Sequence, residues 1–329
     1  MDLSQLSAWI VGDGTVGMEA QSLGLARAIG LQPALKRIRV RAPWRFLPPS
    51  LWLDPLGRLQ ADGDRLEPPW PEVVIGTGRQ AAALSLAIQR ASAGRCFTVQ
   101  MHDPKLPPER FGVVVAPEHD RLRGPNVVVV TGSMHGVTAP VLEAAADRFR
   151  AGFAPLPRPL VAVLVGGSNG RYRLDPPTTR RLAQDLIGLQ RQGYGIALTP
   201  SRRTGEANEI ALRETLAGSG AFIWDGSGEN PYFGLLALAD AILVTADSVN
   251  MVSEALATGK PVHVLDLPGR PGKFQRFHQS LVERGLTRPF RGRIETWTYP
   301  PPDETARVAA LVRERILSHF AQQRPGLAD

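Results

Sequence analysis

The sequence predicts an α/β protein built from two doubly wound domains that face a central cleft. Its 329 residues exceed what one ordinary hydrophobic core supports and suit two domains. Apolar strand-like runs alternate with helical patterns in the first half and again in the second, as is typical of parallel sheets with crossover helices. A proline-bearing stretch at 148–158 separates the two alternations, and we interpret it as a linker.

The first half contains a series of strand-like runs, with a predicted helix after the first at 17–30 and another after the third at 78–94. The runs are SAWIVG, LKRIRV, EVVIGTG, CFTVQ, FGVVVA and NVVVVTG. The segment 41–71 is rich in proline and tryptophan and interrupts the alternation. It is interpreted either as a flap or acceptor-side loop or as a packed insertion.

The second half repeats the alternation without repeating the letters. The strand-like runs are LVAVLVGGSNG, GYGIALTP, GAFIWDG, AILVTAD and PVHVLDL. Helices are predicted at 176–192, 204–218, 232–240, 249–258, 272–285 and 303–322. We therefore expect domains over 1–150 and 151–300 and a terminal helix within 301–329 that packs back on the first domain. Because ligands of such sheets bind beyond the carboxyl ends of the strands, the site is expected in the cleft between the domains.

Composition and cysteine content narrow the class of protein. Hydrophobic residues make up 43% and charged residues 21%, which is typical of a folded globular chain. The single cysteine, Cys96, excludes an internal disulfide and is expected to be a buried, inert thiol in a reducing compartment. The first residues lack the basic and apolar regions of a signal peptide, and no apolar window is long enough to span a bilayer. We expect a cytoplasmic location, with peripheral contact on the inner face of the membrane as an open alternative.

The chain is strongly basic, with a formal charge of +7 and a pI near 10.1. Most of its basic residues are arginines, which are scattered along the chain with few aromatic residues between them. This pattern makes a nucleic-acid partner the weakest interpretation. An anionic membrane surface, a phosphorylated substrate and a plain solvated surface stay open.

The stretch IVGDGTVG, at 10–17, matches the G-x-G-x-x-G pattern of dinucleotide-binding loops. The second strand-like run, however, ends on Arg39 and Arg41 and carries no carboxylate for a ribose. The tyrosines also lack the lysine four residues later that a short-chain epimerase would use. An NADP-dependent sugar-nucleotide oxidoreductase or epimerase therefore stays only as an alternative. The loop is interpreted as a close approach to some other ligand or as a packing turn.

Three strand ends in the second half are suited to phosphate. The run 166–170 is glycine-rich, and backbone amides there could donate to a diphosphate. The stretch 201–204 places two arginines at a helix start, where they oppose the helix dipole unless an anion lies between them. The third, 247–254, is a polar turn followed by a helix carrying Glu254, whose carboxylate suits a vicinal diol, although a helix-capping role is the simpler interpretation for that residue alone.

These stretches also carry a resemblance to a known family. The fragments VQMHDP, VVAPEHD, GPNVVVVTGSMH, LVGGSNGRYR, TPSRRT, KFQRFH and the long run NPYFGLLALADAILVTADSVNMVSEALATGKPV resemble the family of the plant "elongated mitochondria" fission factor and its bacterial relatives. Those relatives are similar to glycosyltransferases, which implies two Rossmann-like domains in the GT-B arrangement. The chain also shows a distant likeness to the lipid-linked peptidoglycan N-acetylglucosaminyltransferase. That likeness implies that Gly166–Ser168 lie at the diphosphate and Glu254 at the ribose.

One position departs from that likeness. Where the peptidoglycan enzyme has a histidine in its N-terminal glycine loop as a candidate base, this chain has Met18, which cannot take a proton. An inverting transfer needs a base within hydrogen-bond reach of the acceptor hydroxyl. The candidates, of which at most one is the base, are Asp13, Glu19, His102, Asp103 and His119. The HD and EHD pairs lack a third ligand set with metal-site spacing, so no metal is expected.

Together these observations predict a metal-independent glycosyltransferase that uses a nucleotide-diphospho-sugar and no cofactor. The residues expected to bind the nucleotide sugar are Gly166, Gly167, Ser168, Asn169, Arg171, Ser201, Arg202, Arg203, Thr204, Asn230, Tyr232, Asp247, Ser248, Asn250, Ser253 and Glu254. Those expected on the acceptor side are Gly14, Gly17, Gln21, Gly76, Gly78, Arg79 and Glu118. The acceptor is expected to be a lipid-linked or cell-envelope saccharide. A non-catalytic recruitment protein on the same scaffold is the main alternative.

Overall fold

The structure is a computed structural model, and it describes residues 2–323. Among these, residues 2–136 and 303–323 form one compact unit, and 137–302 form a second. Each unit contains a six-stranded sheet in which all neighbouring strands are parallel. In the described residues, no helix is both long enough and apolar enough to cross a membrane.

The first unit has the strand order β2-β1-β3-β4-β5-β6. Its strands are β1 Ala8–Gly12, β2 Ala34–Arg37, β3 Val73–Thr77, β4 Phe97–Met101, β5 Val113–Pro117 and β6 Val127–Val130. Helices α1 (Val16–Ile29) and α2 (Gly78–Ala91) follow β1 and β3. β2 ends at Arg37, so Arg39 and Arg41, which were expected at the end of this strand, lie beyond it. The segment 41–71 forms short 3-10 turns that pack on the sheet through Trp52 and Leu66.

The terminal helix α9 (Glu304–Gln323) belongs to the first unit. It buries Val312 and Ile316 against Leu25 and Ile29 of α1, at the spacing that places side chains on one helix face. Residues 324–329 of the segment expected over 301–329 lie outside the described residues.

The second unit has the strand order β12-β11-β10-β7-β8-β9. Its strands are β7 Leu160–Val165, β8 Gly195–Pro200, β9 Phe222–Ile223, β10 Ala241–Thr245, β11 Val262–Leu265 and β12 Thr287–Pro289. The helices are α3 Ala139–Phe153, α4 Pro176–Arg191, α5 Glu206–Thr215, α6 Tyr232–Leu238, α7 Val249–Leu256 and α8 Lys273–Glu283. Strand β12 was not among the expected strands.

The second unit begins at Val137, earlier than the boundary expected after residue 150. The cause is α3, which occupies most of the stretch interpreted as a linker. Its residues Leu142, Phe149 and Phe153 recur at helical spacing and pack against the core of this unit. The prolines that suggested a linker come only after the helix has ended.

Candidate functional site

The candidate site lies at the carboxyl edge of the second sheet, where the strand order reverses. Counted within this unit, the order is 3-2-1-4-5-6, and the reversal falls between β7 and β10. In open parallel sheets this switch point is where ligands bind, because the following loops diverge to opposite faces and leave a crevice. Two of the stretches singled out in the sequence, 166–170 and 247–254, leave the sheet there. The third, 201–204, leaves from the adjacent β8.

Gly166 and Gly167 are required by close packing at this point. A Cβ on Gly166 would overlap the carboxylate of Asp247, and one on Gly167 would overlap the backbone carbonyl of Arg203. Their amides are also engaged within the protein. Gly166 N donates to Thr245 Oγ1 at 2.7 Å, and Gly167 N donates to Asp247 Oδ2 at 2.9 Å. Two of the amide donors that the sequence offered to a diphosphate are thus held by the protein's own side chains.

Asp247 joins the three loops. Its carboxylate is fully buried and accepts hydrogen bonds from Thr245 Oγ1 and Arg203 Nη2, both at 2.7 Å, in addition to the one from Gly167. Burial raises the pKa of Asp247 above its ordinary value, while these hydrogen bonds and the Arg203 charge act in the opposite direction. A buried carboxylate with three donors fixes the relative positions of the strand ends from which those donors come.

The 201–204 loop is held through Thr204. The Thr204 hydroxyl contacts the carbonyl oxygens of Val165 and Gly166 at 3.0 and 2.5 Å, and Ser201 N donates to that hydroxyl at 2.9 Å. The two neighbouring arginines therefore have different environments. Arg203 is ion-paired with Asp247, whereas Arg202 is exposed and has no side-chain partner among residues 2–323. Of this pair, Arg202 is the one whose charge is not paired with a carboxylate among the described residues.

Ser168 and Asn169 close the glycine-rich loop on itself. The Ser168 hydroxyl donates to Leu174 O and accepts from Leu174 N, at 3.1 and 2.9 Å. Asn169 Oδ1 accepts from the backbone N–H groups of Arg171 and Tyr172, and its Nδ2 donates to Asp247 O. The Arg171 side chain is exposed beside Gly272. The loop is therefore a fixed structure whose accessible charged group is Arg171.

Tyr232 and Glu254, 22 positions apart in the chain, meet in the structure. Tyr232, the first residue of α6, donates from its hydroxyl to Glu254 Oε2 on α7 at 2.5 Å. Burial raises the pKa of Glu254 to about 7, and the hydrogen bond from Tyr232 counteracts part of that rise. Burial and the neighbouring carboxylate together raise the pKa of the Tyr232 hydroxyl well above its ordinary value. The tyrosine is thus a fixed donor, and it leaves one carboxyl oxygen, Oε1, for a ligand.

The remaining predicted residues shape the starts of these two helices. Asn230 Oδ1 accepts from Tyr232 N at 3.0 Å before α6, and Ser248 caps α7 by accepting from Met251 N at 3.3 Å. Asn250 lies in the first turn of α7, and the Ser253 hydroxyl donates to the carbonyl of the residue four positions earlier. Their local hydrogen bonds account for the helix starts without a ligand.

Two contributors to this edge were missed in the sequence. Thr245, the last residue of β10, bonds both Gly166 and Asp247 and was treated only as part of the strand. His278 of α8 bonds the carbonyl of Ala246 through Nε2 at 2.8 Å, and burial lowers its pKa. Because a carbonyl only accepts, Nε2 carries the proton. The fragment KFQRFH, which contains His278, was the available signal.

The first unit presents its own set of polar strand ends. Its strand order reverses between β1 and β3, where Ser22 Oγ and Thr77 Oγ1 lie 2.5 Å apart in the interior. Gly14 has a positive φ of +84°, which explains a glycine in this turn. Asp13 Oδ1 accepts from Thr15 N at 3.0 Å, so its carboxylate caps the same turn.

The candidate bases differ in how far they are already engaged. Both Glu19 oxygens accept from Arg37, at 2.7 and 3.0 Å, so this carboxylate would have to leave an ion pair to take a proton. Asp103 is paired with Lys105 at 2.5 Å. His102 is half-buried directly after β4, and His119 is buried, with Nε2 3.9 Å from Asp120 Oδ1. Of the five candidates, Glu19 and Asp103 are therefore the two held in an ion pair with a basic side chain.

The acceptor-side candidates have mixed roles. A Cβ on Gly76 would overlap the Ser85 hydroxyl, so packing explains that glycine, while Gly78 has a positive φ of +78° at the start of α2. Arg79 Nη2 donates to the carbonyl of Arg45 at 2.8 Å. The other three are Gly17 near the start of α1, the buried Gln21 on the same helix, and Glu118, exposed after β5.

Metal ligation has no candidate cluster in the part of the chain that the structure describes. Within residues 2–323, no group of three histidine, cysteine, aspartate or glutamate side chains is arranged to hold an ion.

Comparison with known proteins identifies the family. A family model described as "Mitochondrial fission ELM1" matches residues 16–316. The chain belongs to this family. The Mitochondrial fission protein ELM1 of Arabidopsis thaliana is 32% identical over 273 residues, which is 75% of this chain and 64% of that protein. The chain therefore spans less than two thirds of the length of this relative. The family predicted from the sequence fragments is confirmed.

Solved structures show the fold. Arabidopsis thaliana UGT89C1, solved in complex with UDP, matches with a TM-score of 0.51 and 11% identity over 97% of this chain and 94% of that one. UDP-GlcNAc 2-epimerase of Neisseria meningitidis, solved with UDP-GlcNAc bound, matches with a TM-score of 0.50 and 12% identity over 94% and 99%. The ELM1-family chain thus has the GT-B fold predicted for it. At such low identity the likeness shows the fold and not the reaction.

Proposed function

We propose that this ELM1-family chain is a metal-independent glycosyltransferase that transfers a sugar from a nucleotide-diphospho-sugar. The observation that carries the proposal is that three phosphate-suited loops meet at one edge of the second sheet. The loops 166–170 and 247–254 leave the sheet at the switch point, and the loop 201–204 leaves from the neighbouring strand. The buried carboxylate of Asp247 is hydrogen-bonded to groups at all three strand ends. A scaffold without a ligand would not need an exposed arginine and a half-buried glutamate beside such an edge.

The charged groups divide into those that bind and those that position. Within residues 2–323, Arg202 and Arg171 are exposed and have no ion-pair partner. We assign them to the donor diphosphate, whose leaving charge they would neutralise in place of a metal. Asp247 and Arg203 hold the loops. Glu254, held by Tyr232, is assigned to the ribose hydroxyls, because the free oxygen Oε1 has two lone pairs that can accept from two neighbouring hydroxyl groups. The proposal requires no cofactor.

The polar strand ends of the first unit are assigned to the acceptor, a lipid-linked or cell-envelope saccharide. For the base we propose His102 or His119, because histidine is the side chain that most often acts as a general base. Glu19 and Asp103 are engaged by basic side chains, and the Asp13 carboxylate caps its own turn. Conservative His→Asn variants at the two positions separate them. The variant that removes the base should lower kcat while leaving donor-induced thermal stabilisation unchanged.

The donor site is tested by thermal denaturation with UDP-, GDP-, CDP- and CMP-sugars. A ligand that binds only the folded chain raises its stability by about 2.7 kcal/mol at one hundred times its dissociation constant. The shift should be lost in Glu254→Ala and Arg202→Ala. It should persist in Arg191→Ala. Arg191 is an exposed arginine at the end of α4, which leads into the amino end of β8, so it lies at the sheet edge opposite the candidate site.

A second candidate function is recruitment of other proteins without catalysis. Its support is that the Arabidopsis thaliana relative is a mitochondrial fission protein. Flat melting curves across the whole nucleotide-sugar panel would favour it over the transferase. An epimerase, the class of one structural relative, would instead change the sugar of a bound donor with no acceptor present, which NMR of the incubated donor detects. Tight binding of NADPH in a fluorescence titration would favour the oxidoreductase.

A further inference from the structure

The 43–58 segment carries an unusual outward surface. Among residues 2–323, the three most exposed large apolar side chains are Leu53 (74%), Phe46 (64%) and Leu51 (57%), and all three lie within eight positions of the chain. We call these three the outward apolar patch. Scattered single apolar residues on a surface need no explanation, but a local group of the largest exposures does.

The exposure of this patch follows from how the segment is anchored. Trp52, between two patch residues, is buried, and its Nε1 donates to Leu47 O at 3.3 Å. Trp52 belongs to the core cluster of the first sheet, and Leu47 and Leu56 pack against the same cluster. Because neighbouring residues of the segment are fixed in the core, the patch residues cannot turn inward unless the segment unfolds.

Basic residues flank the patch along the chain. Arg41, Arg45 and Arg58 have no ion-pair partner among the described residues, and Asp54 is the only acidic residue between positions 39 and 58. The Arg45 and Arg58 guanidinium groups lie over the rings of Phe46 and Trp44, at 4.6 and 4.7 Å. Stacked guanidinium groups stay charged and are only weakly hydrated, so they approach an anionic surface at low desolvation cost.

We propose that this surface docks the protein on an anionic lipid bilayer. Aromatic and leucine side chains that project between arginines match the boundary between acyl chains and headgroups, where each group meets its preferred environment. The net positive charge of the patch surroundings complements anionic headgroups and not a neutral bilayer. This docking does not depend on the donor site of the second unit, so it would hold for a transferase or for a recruitment protein.

The test is co-sedimentation of the full chain with vesicles of phosphatidylcholine alone and of phosphatidylcholine mixed equally with phosphatidylglycerol. Binding is expected to the mixed vesicles only and to fall as salt rises, because salt screens the headgroup attraction. The triple variant F46S/L51S/L53S should lose binding. Arg41→Ala should weaken it by about fivefold, the effect of one basic residue near such a surface.

Matched controls lie in the second unit. The double variant I210S/V282S removes two exposed apolar side chains there, and Arg191→Ala removes one exposed arginine, so both should bind like the wild type. Circular dichroism and melting temperatures check that each variant folds. If the triple variant does not fold, the weaker vesicle binding expected of Arg41→Ala is the test. Wild-type failure to bind the mixed vesicles overturns the proposal. So does equal loss in the control variants, or a dimer by light scattering that the triple variant abolishes, which would assign the patch to a second copy.

Discussion

Gly167→Ala tests the physical basis of the candidate site with a single methyl group. The new Cβ would overlap the carbonyl group of Arg203 and lie 2.7 Å from the backbone nitrogen of Thr204. Both obstacles are backbone atoms, so no side chain can rotate away. The loop that carries them is itself fixed, since the Thr204 hydroxyl bonds the carbonyl oxygen of Val165 at 3.0 Å. The loop must therefore shift as a unit, at the expense of its hydrogen bonds.

The magnitude follows from these contacts. Overpacking a fixed interior costs about 1 to 3 kcal/mol and more when backbone must move. Alanine also restricts the unfolded chain more than glycine does, which stabilises the folded protein by about 0.4 to 1 kcal/mol. We expect a net loss of about 2 kcal/mol. Gly170 in the same loop is the matched control, because a Cβ there has no atom within 4 Å and its φ is not positive. Gly170→Ala should therefore stabilise the protein by about 0.4 to 1 kcal/mol through the unfolded chain alone.

Urea unfolding followed by circular dichroism measures both variants. Donor-induced thermal shifts, if the donor site is as proposed, should fall in Gly167→Ala and stay unchanged in Gly170→Ala. Equal stability of Gly167→Ala and the wild type, or equal loss in the two variants, would refute the packing argument. It would then follow that the glycine loop is not held against the 201–204 loop.

Three further predictions concern titrating and buried groups. Glu254 takes up a proton on folding between pH 4.5 and about 7, so its contribution to stability falls as pH rises through that window. In urea unfolding, the stability of Glu254→Gln relative to the wild type should therefore rise by about 2.5 kcal/mol from pH 5 to pH 8. Parallel pH profiles of the two proteins would contradict this. Tyr232→Phe removes a hydrogen bond to that carboxylate and should cost about 1.5 to 3 kcal/mol at pH 8 but less at pH 5, where the carboxyl is neutral; equal losses at both pH values would show that packing alone is involved. Burial raises the pKa of the Cys96 thiol to about 12, so its alkylation at pH 8 should be about a thousandfold slower than that of an ordinary thiol. The alkylation rate should return to that of an ordinary thiol in urea. Rapid labelling of the folded chain would contradict this prediction.

The sequence determined the class of fold because strand and helix periodicity are local properties. Both alternations, the family and most helix positions were predicted from it, with ends off by a few residues. The boundary between the units was not, because prolines after Phe153 suggested a linker while Leu142 and Phe149 anchor α3 to the second core. That anchoring depends on contacts far apart in the chain.

For the site, the sequence determined which stretches end strands and which carry suitable polar groups. Only the tertiary structure decided which of those groups are already used. Asp247 accepts a hydrogen bond from the amide of Gly167 and forms an ion pair with the guanidinium of Arg203. Arg202, the neighbour of Arg203 in the chain, is left exposed. The sequence does not show which of two adjacent arginines is ion-paired. That depends on which strands lie side by side at the switch point, because hydrogen bonds form between groups that are neighbours in space.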